Sequence, residues 1–191
     1  NVTIESDTFK LSAQTVKVDF EKDLYDITNI YSQENVVLES KKGLKVLGDE
    51  VNYNVKNEKI NIKGKESFLQ NNKFIMASDG LIDLNNISGD FRLFGSNSQL
   101  ITEDIKITGE NIKGRYINVD NKNIVDKLNV EDKTQVNIKT ETSDMFAKKA
   151  KYNRQENIIE LFENVIIIRD NESITGDYAK MNTLDESYYV K

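Results

Sequence analysis

Side chains able to do chemistry are scarce in this chain, and the absences are informative. Among 191 residues there is no Cys and no His, which excludes thiolate nucleophiles, disulfides and Cys-ligated metals. Losing His also removes the commonest general base near neutral pH and the commonest transition-metal ligand. An enzyme built on this sequence would have to use carboxylates, Lys, Tyr or Ser, or a hard metal held by oxygen. The one acidic pattern that recurs is Asp49, Asp79, Glu110 and Asp177, each just after a Gly or Ala-containing step. These acids belong to separate segments and form no compact oxygen-ligand loop of the calcium type, so turn or strand-edge positions are expected for them. Lys41-Lys42, Lys148-Lys149 and Lys151 could meet phosphates, but such clusters are more commonly a solvated face. No catalytic residue, metal or cofactor is expected, and the chain is read as a non-enzyme.

The elements that would have to position any site follow from composition and period. Hydrophobic residues make up 38 % and charged residues 30 %, enough for one core and a well-solvated surface; the length suits one all-β domain over 1–191. The net charge is −6, which argues against nucleic acid as a partner. Proline is absent, which suits a chain made almost wholly of paired strand. The longest uncharged apolar run, Val165 to Ile168, is far short of the ~20 residues of a membrane span. The N-terminus shows no secretory signal, so the chain reads as a mature or trimmed soluble protein, with a lost signal or anchor left open.

A pattern of apolar residue, any residue, then Ala or Gly, followed by alternating apolar positions, recurs six times. It reads Leu11-x-Ala13-x-x-Val16-x-Val18, Val46-x-Gly48-x-x-Val51-x-Tyr53, Ile75-x-Ala77-x-x-Gly80-x-Ile82, Ile107-x-Gly109-x-x-Ile112-x-Gly114, Met145-x-Ala147-x-x-Ala150-x-Tyr152 and Ile174-x-Gly176-x-x-Ala179-x-Met181. Half-motifs such as Tyr25-x-Ile27, Ile60-x-Ile62 and Ile159-x-Leu161 follow several copies, and Glu34-Asn35-Val36 is echoed by Glu163-Asn164-Val165. The period within each is two, the signature of strands wet on one side. The small residue suits points where a sheet turns sharply or a backbone packs closely. Some ~12–16 strands of ordinary length are expected; Ser143 to Tyr152 could be helical, but the repeat favours strand.

These repeats resemble the OstA repeat of the LptA family, most closely over Ala147 to Tyr152, Ile159 to Ile167 and Ile174 to Ala179, then over Val46 to Tyr53 and Glu34 to Leu38. Glu163 stands where that family has Gly, and Gly114 where a large apolar residue is expected, which leaves the local strand geometry at both open. The resemblance implies an all-β, twisted β-jellyroll, open along one side, built from about six irregular repeats. It also implies a periplasmic lipopolysaccharide-binding and transfer protein bridging inner and outer membrane, free or anchored to the inner membrane by a segment not in this sequence. LptC-like and LptD-like proteins would be its partners, with head-to-tail self-association through terminal strands.

The candidate lipid-binding groove is the inward face: Val51, Tyr53, Ile60, Ile62, Ile107, Val136, Ile138, Tyr152, Ile159, Leu161, Val165 and Ile167. Any one of these could equally fill a dry core. If the two layers stay splayed, the same face offers acyl chains ~0.8 kcal/mol per buried methylene with no specific contact. The alternative is a parallel β-helix surface protein, an adhesin or polysaccharide binder, which also repeats short strands. The Asn residues here fall on polar faces and in turns, not in an internal ladder, which counts against it. A ligand-free structural sandwich is the third reading. The first strand is expected over Val2 to Leu11 and the last over Ser173 to Val190, both as unprotected edges.

Overall fold

Alternation of apolar and polar residues becomes strand along the whole chain. A computed structural model describes every residue except Thr8, Leu24, Tyr25, Lys42, Asp120, Asn121, Asn171 and Glu186, and the side chain of Lys122. The half-motif at Tyr25 and the second lysine of Lys41-Lys42 therefore lie outside the described residues. Among those described, sixteen strands form one sheet. They begin with β1 (Val2–Glu5), β2 (Phe9–Ala13), β3 (Thr15–Phe20), β4 (Ile27–Ser40) and β5 (Lys45–Asn54). Then come β6 (Lys59–Lys63), β7 (Ser67–Gln70), β8 (Ile75–Ser78), β9 (Leu81–Asn85), β10 (Asp90–Ile101) and β11 (Lys106–Val119). The chain ends with β12 (Lys122–Lys139), β13 (Asp144–Asn153), β14 (Ile158–Arg169), β15 (Glu172–Asn182) and β16 (Tyr188–Val190).

Pairing is antiparallel at every described ladder, which removes the parallel β-helix. Several strands are far longer than the expected ordinary length; β12 runs for 18 residues. The reason lies in a crease that the long strands cross. Register shifts fall between Gln33 and Val36, Phe94 and Ser98, Thr108 and Asn111, Glu131 and Val136, and Phe162 and Val165. On one side of this line β5 pairs β7 and β10 pairs β8; on the other β5 pairs β6 and β10 pairs β9. The sheet is thereby folded into two wings. One carries β1, β2, β7, β8 and the matching halves of the long strands; the other carries β3, β6, β9, β16 and the remaining halves.

Burial supports the same geometry. Val46, Ile62, Ile82, Leu93, Ile107, Ile112, Val130, Val136 and Met145 are fully buried. A sheet face with no helix over it reaches that state only when another sheet face covers it. Both inward faces belong to one apolar cluster, each fully buried Leu or Ile worth roughly 1.5–3 kcal/mol. The result is an all-β jellyroll, creased along one side.

The crease explains the small residues. A Cβ at Gly48 would stand 2.6 Å from Ile62 Cγ2 across the fold, so no larger residue fits. Ala13 and Ala147 are buried at equivalent points. The third copy is out of phase with its spacing: Met76 and Ser78 point inward, whereas Ile75 and Ala77 point outward. The Ile75 and Ala77 positions pair with Ile101 and Gln99 on the outer surface. Asp144 to Tyr152 is strand, not helix, in β13. The expected single terminal strands are instead hairpins, β1–β2 and β15–β16. Their turns are closed by Ser6 N–H to Phe9 O at 2.9 Å and Asn182 N–H to Ser187 O at 2.8 Å.

Candidate functional site

Bending a sheet leaves backbone groups without ladder partners, and each needs another. Three buried serines supply them. Ser67 Oγ, with one proton to give, lies 3.1 Å from Gly64 O and 2.9 Å from Gly80 O. Ser78 Oγ lies 3.0 Å from Phe94 O, and Ser98 Oγ 3.1 Å from Gly95 O. The Ser78 and Ser98 hydroxyls are themselves 3.0 Å apart. The sequence carried this signal in Ser67-x-Leu69, Met76-x-Ser78 and Ser98-x-Leu100, the small-and-apolar spacing with Ser in place of Ala or Gly.

Three of the four recurring acids make contacts at the same bend. Asp79 accepts the Ser96 hydroxyl and, at 3.0 Å, the Asn97 N–H. Those hydrogen bonds hold its carboxyl below the ordinary value of 3.8. Asp49 accepts the Lys65 N–H at 3.3 Å, and Glu110 pairs with Lys133 at 2.8 Å. Lys149 pairs with Glu163 at 3.1 Å, and Lys151 stands over the Phe162 ring, both on the outer surface.

All twelve candidate groove residues face inward. Ten are buried, while Tyr53 and Tyr152 are half-buried. They meet in cross-strand pairs: Val51 with Ile62, Tyr53 with Ile60, Ile107 with Ile138, and Tyr152 with Ile159. Ile62, Val136, Ile138, Leu161, Val165 and Ile167 are packed in the buried core. The other six face cavities between the wing tips.

Two spaces, one in each half of the chain, have apolar walls. The N-terminal chamber, about 300 Å³, has walls from Leu11, Ile30, Leu38, Val51, Ile60 and Leu69 among others. Its rim carries Glu58, Asn71 and Asn86. The C-terminal chamber is larger, about 840 Å³, with Ile107, Val125, Leu128, Tyr152 and Ile159 inside and Thr102, Glu103, Asp104 and Thr140 at the rim. Burial pushes the phenols of Tyr53 and Tyr152 up, so both stay neutral near pH 7. Beside the second chamber, buried Asp126 accepts from Arg115 Nη2 at 2.6 Å at a bulge in β12, which neutralises the one buried carboxylate among the described residues. The surfaces available to a ligand are thus apolar walls with a hydroxyl and amide rim. Such walls can shelter hydrocarbon.

Phe9, Leu44 and Leu84 also line the first chamber and were not singled out from sequence. Their signal was ordinary: Phe9-x-Leu11 and Ile82-x-Leu84 alternate as the chosen pairs do.

Residues 89–186, just over half of the chain, match the family described as LptA/(LptD N-terminal domain) LPS transport protein. No curated protein matches. Among solved structures, the fold is similar to LptH of Pseudomonas aeruginosa, described as the LptA homologous periplasmic component of the lipopolysaccharide transport device. That likeness has a TM-score of 0.50 at 12 % identity and covers 61 % of this chain and 80 % of that one.

Proposed function

The chain belongs to the LptA/LptD N-terminal family of lipopolysaccharide transport proteins, and from that premise we propose that it is a single-domain periplasmic carrier. On this reading it holds the acyl chains of lipopolysaccharide between its wings and passes them toward the outer membrane without chemistry. The observation that carries it is the pair of apolar-walled chambers between the wing tips. Each buried methylene is worth ~0.8 kcal/mol, so a chain of similar apolar sites can move a lipid with little preference for direction. Among the described residues no helix is long and apolar enough to cross a membrane. LptC-like and LptD-like proteins are the proposed partners, joined through the open strand edges at either end.

A photo-crosslinking residue tests this. Placed at Tyr53 or Tyr152, which line the chambers, it should capture lipopolysaccharide. At Asn54 or Lys63, whose neighbours in the strand point inward, it should not. Equal labelling at inward and outward positions would overturn the reading.

A further inference from the structure

A cross-wing aromatic contact stands between the residues that line the two chambers. Phe74, from the β7–β8 turn of one wing, and Tyr116, from β11 of the other, have ring centroids 5.6 Å apart. Both are buried, at 5 % and 8 % exposure, so the pair fills the space between the wings.

Each ring is held from its own side. Asn71 Oδ1 accepts the Lys73 and Phe74 N–H groups at 2.8 and 2.9 Å, fixing the turn that presents Phe74. The Tyr116 hydroxyl lies 2.7 Å from Asn86 Oδ1, and its N–H donates to Gly89 O at 3.0 Å. Above the rings, Lys73 Nζ reaches across the open side to Asn123 Oδ1 at 3.3 Å, and Asn118 Nδ2 supports the same oxygen at 3.0 Å. The partition runs through this turn: Asn71 and Asn86 line the N-terminal chamber, whereas Asn72, Lys73 and Asn123 line the C-terminal one.

We propose that the groove is two acyl-chain sites in series, separated by an aromatic gate of Phe74 and Tyr116 under a Lys73–Asn123 latch. This rests on the lipid-carrying reading and adds that lipid crosses only when the wings part at this point. The contact suits a gate. Rings from opposite wings meet through their faces and edges without a hydrogen bond to each other. The latch is a single hydrogen bond on a flexible lysine at the surface, so opening breaks little and apolar lipid can replace the ring contact.

The absence of native cysteine gives a clean test. In a K73C/N123C variant, a short bis-maleimide holds the latch shut, and the same variant without cross-linker controls for folding. Loaded with lipopolysaccharide, the cross-linked protein should transfer it to an empty tagged copy about tenfold more slowly or worse. Dansyl-undecanoic acid should still fill the chambers, at two molecules per chain in both forms. Equal transfer rates with and without the cross-link overturn the gate. One dansyl probe shared across the groove overturns the partition. A wild-type chain that takes up dansyl-undecanoic acid at two sites but no lipopolysaccharide would instead defeat the transport reading and leave the partition standing.

Discussion

Gly114 on β11 lies opposite Phe91 on β10, and a Cβ there would stand 2.5 Å from the Phe91 ring. The missing side chain is filled by the neighbour's ring, so the strand continues unbroken through a position where the repeat leads one to expect a large residue. We predict that Gly114→Ala lowers stability by about 1–3 kcal/mol through overpacking. Adding Phe91→Leu should recover part of that loss, a non-additivity expected only of residues in contact. Urea unfolding of both variants measures it; strictly additive effects would refute the contact.

Asp79 ties the bend of β10 to the β8–β9 turn through Ser96 and Asn97. Its folded carboxyl titrates below 3.8, the ordinary value of a free aspartate. A group depressed in the folded state adds stability above its unfolded value and loses it as pH falls through the folded one. We predict that Asp79→Asn is less stable than wild type near neutral pH and that the gap narrows below about pH 4. Denaturation midpoints across that range decide it, and a gap that widens with acid would sink the assignment.

The ends of the sheet give a third expectation. Lys180 and Tyr189 face each other in the β15–β16 ladder, two pairs along from the mutual hydrogen bonds of Tyr178 and Lys191. Since antiparallel pairs alternate between bonded and non-bonded, Tyr189 bonds inward, and the Tyr188 and Val190 backbone groups point to the free edge. Proline at Tyr188 should therefore block that edge without breaking the hairpin. We predict that wild type forms concentration-dependent linear oligomers by strand addition. The Tyr188→Pro variant should sediment as a smaller species with unchanged circular dichroism. Truncation from Asp185 is a poorer test, because it uncovers β15 and the Val190 contact over Gly176. A wild type that stays monomeric at high concentration would rule out self-assembly.

Strand identity and the inward face were legible in the sequence because they are local. Alternation sends Val51, Ile60, Ile107 and Ile159 to one side whatever lies across from them, and the repeat marked Ala13, Gly48, Gly109 and Ala147 as points of close approach. Even the echo of Glu34-Asn35 in Glu163-Asn164 was visible, though its meaning was not. All four residues adopt positive φ, between 55° and 65°, the left-handed bend that carries β4 and β14 over the crease. That is why the family can place Gly there. What only the tertiary structure decided depends on residues distant in sequence. The inserted phase that turns Met76 and Ser78 inward is set by β7 and β10, not by its own neighbours. Whether the inward face is a dry core or an open groove depends on how far the wings separate. The division of that groove rests on Phe74 meeting Tyr116 across the fold, a contact with no local pattern, fixed when the crease brings the two wings together.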